Sequence, residues 1–178
     1  MIIQENKIKG LTLIEALIWF AIFAAVVAGV FSLYSNSRDS SNASTVNKEL
    51  STVFSQTEQL FATEDTASLN NTVALQLGIF PSSMKIKGST ISNVFGGTAT
   101  ITGTTPSGFN IVYTNVPTGD VCSNIVRSQK AVGWDTATVG KTTVPYNSTY
   151  SIATVAGACG NAGSAALSLT FTRLNANI

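Results

Sequence analysis

The sequence predicts an α+β chain. One long N-terminal α-helix, membrane-spanning in its first half and amphipathic in its second, packs on a C-terminal antiparallel β-sheet. Three observations carry this reading. Residues 11–34 read LTLIEALIWFAIFAAVVAGVFSLY, apolar almost throughout. No Pro or Gly interrupts residues 30–61, and there Val46, Leu50, Val53, Phe54 and Phe61 recur at the spacing of one helical face. From about residue 62 the pattern changes to short β-branched alternations separated by turn residues.

The first ten residues, MIIQENKIKG, set Lys7 and Lys9 against Glu5. That slight positive bias predicts a cytoplasmic N-terminus with the bulk of the chain outside. The apolar run that follows is 24 residues long. As a helix it would reach roughly 36 Å, against a hydrocarbon core of about 30 Å. It exceeds the apolar core of an ordinary secretory signal and ends in no clear A-x-A cleavage site. Glu15 is its only formal charge. An acid at the centre of a membrane helix costs about 2.5–3.5 kcal/mol, less toward an end, where Leu, Val or Ala would cost nothing. A plain anchor tolerates such a residue, so Glu15 asks for a reason without supplying one. Gly29 is a weak joint, costing about 1 kcal/mol relative to Ala. Polar residues 35–44 then carry the helix out of the membrane. The face opposite the apolar stripe holds Asn47, Lys48, Glu49, Ser51, Ser55 and Glu58.

Beyond the helix, residues 73–77 suggest a short helix. NVFGG at 93–97 reads as a turn, because paired glycines permit positive φ. Residues 98–102 alternate as a strand, TPSG at 105–108 is a turn, and FNIVYTN at 109–115 puts Phe109, Ile111 and Tyr113 on one face. The two strands form a hairpin. Pro117, Gly119 and Asp120 mark a break and a helix N-cap, and a helix over 121–128 turns Val121, Cys122 and Ile125 inward. Residues 150–155 and 167–174 complete the strands, the last with Leu167, Leu169 and Phe171 on one face.

Several function classes fall away. Charged residues are 11% of the chain and the net charge is +1, so nothing steers it to nucleic acid. Histidine is absent, which removes the commonest general base and metal ligand. GTTPSG and GACGNAG match no phosphate loop. Asp120 and Asp135 read as single solvated carboxylates. No catalytic, cofactor or metal residue is expected. The exported orientation makes a Cys122–Cys159 disulfide the default, pinning the 121–128 helix to the loop before the last strand, with two buried free thiols as the alternative.

The Lys-Gly junction followed by LTLIEALIWFAIFAAVVAGVF resembles the N-terminus of a type IV prepilin, whose short basic leader ends in Gly and whose helix has Glu as its fifth residue. NVFGG, VPTGDVC and the late ACG resemble the type IVb subgroup. The helix motif is specific over about 25 residues; the remainder matches in architecture alone. The leader is shorter than is common in that subgroup, and no proline lies in the membrane half. The resemblance implies a pilin-like division: leader 1–10, transmembrane and filament-core helix 11–34, amphipathic half 35–61, and a globular head 62–178 with a disulfide-closed region 122–159. It implies cleavage between Gly10 and Leu11 by a prepilin peptidase, N-methylation of Leu11, and an inner-membrane precursor passed to an assembly platform. Glu15 would pair with the amino terminus of a neighbouring copy. Thr12 would add a hydrogen bond there or be a tolerated polar residue. The implied function is a pilus subunit, with a type II secretion pseudopilin or a minor tip pilin as alternatives. The last 40 residues hold no acid, which argues against a calcium-binding pseudopilin end. A membrane-anchored enzyme lacks its constellation.

Overall fold

The computed structural model describes residues 13–104 and 107–174. Contacts divide the chain into a unit ending at Arg38 and a second running from Asp39. Helix α1, Leu13–Leu60, contributes to both. It continues through Gly29, where an added Cβ would meet no atom within 4 Å. Within the first unit, Leu13–Phe31 is long and apolar enough to cross a membrane.

In the second unit the elements follow in the order α2 (Asn71–Gln76), β1 (Lys85–Lys87), β2 (Thr90–Ser92), β3 (Thr98–Thr104), β4 (Gly108–Val116), α3 (Asp120–Gln129), β5 (Thr136–Val139), β6 (Thr142–Pro145), α4 (Ile152–Cys159) and β7 (Leu167–Arg173). The seven strands make one sheet in the order β1-β2-β3-β4-β7-β5-β6. All its pairings are antiparallel, and β7 enters between β4 and β5. The expected 98–115 hairpin is β3–β4, with Ile101 opposite Ile111 and Ala99 opposite Tyr113.

The period of two sorts the sheet into two faces. Ala99, Ile101, Phe109, Ile111, Tyr113, Ala137, Val139, Leu169 and Phe171 are buried on the inner one. The apolar stripe of α1 covers it: Val46, Leu50, Val53, Phe54 and Phe61 are all buried, as the spacing requires. Phe54 is the central contact. Its ring lies 4.7 Å from Trp134 and 5.9 Å from Phe109, and Trp134 is 5.8 Å from Phe171. Each such pair adds about 0.5–1.5 kcal/mol beyond its buried area. The outer face of β3, β4, β7, β5 and β6 is dominated by threonine. Thr100, Val112, Thr170, Thr138 and Thr143 form one cross-strand row, and Thr102, Asn110, Thr172 and Thr136 another.

Four expectations are corrected. Residues 150–155 are not a strand: Ile152–Cys159 is helix α4. Its β-branched residues suit a strand, but Val155 and Cys159, four apart, are its buried face. Cys159 therefore closes a helix and does not lie in a loop before the last strand. Glu49 is not on a solvent face; it is 2% exposed, because Ser83 and its neighbours fold over that side of α1. Asp135 is no lone surface acid; it pairs with Arg173. The turn at 105–108 falls partly outside the described residues.

Candidate assembly helix and disulfide-closed region

In the first unit the chain presents apolar surface on every side. Leu13, Trp19, Phe20, Phe23, Val26, Phe31 and Leu33 are all exposed, Phe20 to 74%. Exposure of contiguous apolar surface on that scale calls for lipid or for other apolar helices around it. Glu15 belongs to the apolar part of α1 and is itself exposed. Gly10, Leu11 and Thr12 lie outside the described residues.

In the second unit Cys122 and Cys159 are joined, with Cα atoms 5.6 Å apart. Both are fully buried. Cys122 is in the first turn of α3 and Cys159 ends α4, so the bridge ties two helices that flank the β5–β6 hairpin in sequence. A backbone bond from Gly119 N to Cys159 O at 3.1 Å supports the junction. Gly119, at φ 76°, is the N-cap of α3; no side chain caps the helix, and Asp120 is its first residue. The far end of α3 is locked by Gln129, 1% exposed. Its Nε2 donates to Asn47 O at 3.3 Å, and its Oε1 accepts from Trp134 Nε1 at 3.1 Å.

The NVFGG turn is built around Asn93. Its Oδ1 accepts from Phe95 N and Gly97 N at 2.9 and 3.0 Å, and its Nδ2 donates to Thr114 O at 2.8 Å. Gly97 is required because a Cβ there would lie 2.1 Å from Thr114 O.

Two charged groups escaped the sequence reading. Arg173 closes the sheet onto α1: its Nε donates to Glu58 Oε1 at 2.8 Å and its Nη1 to Asp135 Oδ2 at 3.3 Å. Burial works against its charge, but the hydrogen bond and charge of Glu58, with those of Asp135, outweigh it and hold the guanidinium above its usual pKa. Glu49 is the second. Burial raises its carboxyl pKa, opposed by the hydrogen bond from Ser83 Oγ to Oε1 at 3.2 Å and by the Tyr113 hydroxyl. The helical spacing carried a signal for Glu49: three residues after Val46 and four before Val53, it borders the apolar stripe, whereas Lys48 and Ser55 do not. Among the described residues no group of three metal-ligating side chains occurs.

Comparison with known proteins bears on the head above all. The family model described as PilS N terminal matches residues 40–172. No curated protein matches. A crystal structure of the type IV b pilin from Salmonella typhi is similar in fold, with a TM-score of 0.58 at 18% identity over 76% of this chain and 99% of that one.

Proposed function

The chain belongs to the PilS N-terminal family of type IVb pilins, structural subunits and not enzymes, and on that premise we propose that it is the major subunit of a surface fibre. Pilins self-assemble into extracellular pili. The finer reading is that a prepilin peptidase cuts between Gly10 and Leu11, that Leu11 is N-methylated, and that the precursor waits in the inner membrane for an assembly platform. The fibre then serves adhesion, aggregation or conjugation.

One observation carries the reading: Glu15 is the single formal charge in the apolar stretch 11–34. In a core of packed helices an unpaired charge is costly and a paired one tolerable. Pairing Glu15 with the new α-amino group of a neighbour's Leu11 selects one axial register among many apolar ones. Thr12 borders that contact.

Glu15→Val tests this. Val suits the bilayer better than Glu, so insertion and leader cleavage should continue while sheared fibres vanish. Membrane fractionation, mass spectrometry of the mature N-terminus and fibre counts from one strain decide it. Wild-type fibre yield from the variant would end the account.

A further inference from the structure

Glu49 lies under a thin cover. It borders an open cleft of about 360 Å³ together with Ser83, Lys85 and Asn93, yet is itself 2% exposed. Ser83 Oγ donates to its Oε1 at 3.2 Å, and the Tyr113 hydroxyl faces the carboxyl from β4. That hydroxyl is also 4.0 Å from Met84 Sδ. Two of the residues grouped here, Ser83 and Met84, belong to one short segment, 81–90. Of its ten residues only Met84 is buried. The buried Ile79 and Phe80 precede it and the buried Ile91 follows it, so it is a strap fixed at both ends. β1, inside it, is an edge of the sheet and pairs with β2 alone. Beyond that pairing, its ties among the described residues are the Met84 side chain, the Ser83–Glu49 bond and a bond from Asn71 Nδ2 to Ser89 O at 3.3 Å. A segment with so few buried contacts opens locally without the whole domain unfolding.

The charge state of Glu49 decides how readily this one opens. A neutral carboxyl sits under the strap at little cost, whereas an ionised one is costly away from water. The groups around it do not reverse this. Tyr113 is fully buried, and burial, then the charge of Glu49, holds its phenol well above the ordinary pKa, so it remains a neutral donor. Lys85 on β1 and Lys48 on α1 are exposed, where water and salt screen them. Among the described residues no second acid lines the cleft. Lifting the strap returns the carboxyl to water, where it ionises in the ordinary range.

We propose that residues 81–90 are a pH-released strap, shut over a protonated Glu49 and lifting as Glu49 ionises. The device belongs to the single subunit and does not depend on fibre assembly. Burial raises the carboxyl pKa in the closed head. Between the ordinary carboxylate range and that raised value, the open fraction therefore grows by about tenfold per pH unit, and above it levels off. Hydrogen exchange of full-length, detergent-solubilised subunits tests this, with Glu49→Gln as the reference, because comparison at one pH cancels the intrinsic exchange rate. The hydrogen-bonded amides of β1 should exchange faster than those of β4 at every pH from 4 to 8. Their wild-type rate relative to Glu49→Gln should climb through the window by about tenfold per unit and then hold level. Trypsin cleavage after Lys85 and Lys87 in wild type, scaled to a free peptide of residues 79–92 at the same pH, should climb over the same range and needs no variant. A ratio or a scaled cleavage rate that stays flat with pH overturns the proposal, because opening would then leave Glu49 buried. Exchange of β1 at the rate of β4 overturns it too, because Glu49 would then meet water only when the whole head unfolds.

Discussion

Removing the Cys122–Cys159 bridge should cost the head about 4 kcal/mol. The two cysteines are 37 positions apart. The loop-closure relation for that separation gives an entropy of about 13 cal/mol/K, or roughly 3.8 kcal/mol at 25 °C. A folded domain has only about 5–15 kcal/mol in all, so the loss is a large share. The perturbation should be the double variant Cys122→Ala, Cys159→Ala, because a single change leaves a buried reactive thiol. Both positions are fully buried, so small cavities add to the loss and reduced wild-type protein is the companion measurement. Trp134 reports unfolding well: it is 3% exposed, ringed by Phe54, Phe109 and Phe171. A Trp19→Phe background silences the other tryptophan. Urea titration in detergent should then show the midpoint falling by a similar amount in the double variant and in the reduced protein. A loss under about 1 kcal/mol in both would refute the entropic argument, since it would mean that α3 and α4 hold together without the bridge. Reductant should also act slowly on folded protein and quickly once urea opens it.

Two further outcomes follow from the head. Glu49 has a raised pKa in the folded chain, so between its unfolded value near 4.5 and that raised value the folded state holds more protons than the unfolded one. Stability therefore falls as pH rises through that window, and Glu49→Gln subunits should gain on wild type from pH 4 to pH 8; parallel urea midpoints across the range would contradict this. Gly103→Ala should block folding, because its Cβ would lie 1.6 Å from Thr66 O and backbone would have to move; a soluble, protease-resistant head from this variant would show that the 62–69 segment can shift.

How much was legible depended on what each segment owes to its neighbours. Helix α1 reads directly, since its periodicity runs for dozens of residues and no Pro intervenes. Strands β3, β4 and β7 carry their own alternation. The β5–β6 hairpin did not stand out: TATV and TTVP are four residues each, and Gly140 at φ 59° was the available turn signal. Its place is fixed by pairing with β7, Ala137 opposite Phe171, a partner 34 positions away. The β1–β2 pair, three residues each around Gly88, hid for the same reason. Helix α4 was misread because IATV favours strands locally, whereas its inward pair, Val155 and Cys159, is chosen by the core and the bridge. At the candidate site, Glu15 and the cysteines were visible as exceptions to composition. Glu49 borders the apolar stripe by its spacing from Val46 and Val53, but its burial depends on the segment around Ser83 that covers it.

The threonine rows have a consequence for the conditions a fibre meets. From Thr98 and Thr100 on β3 to Thr143 on β6, the outer face of these five strands presents hydroxyls, methyls and the Asn110 amide, and no side chain that titrates. Some hydroxyls pair with each other, Thr138 with Thr143 and Thr98 with Thr114, both at 3.1 Å. Such a surface has no charge for salt to screen and no proton to lose. Its character is therefore the same in dilute acid and in brine, whereas ionic contacts elsewhere on the head strengthen or weaken with the medium.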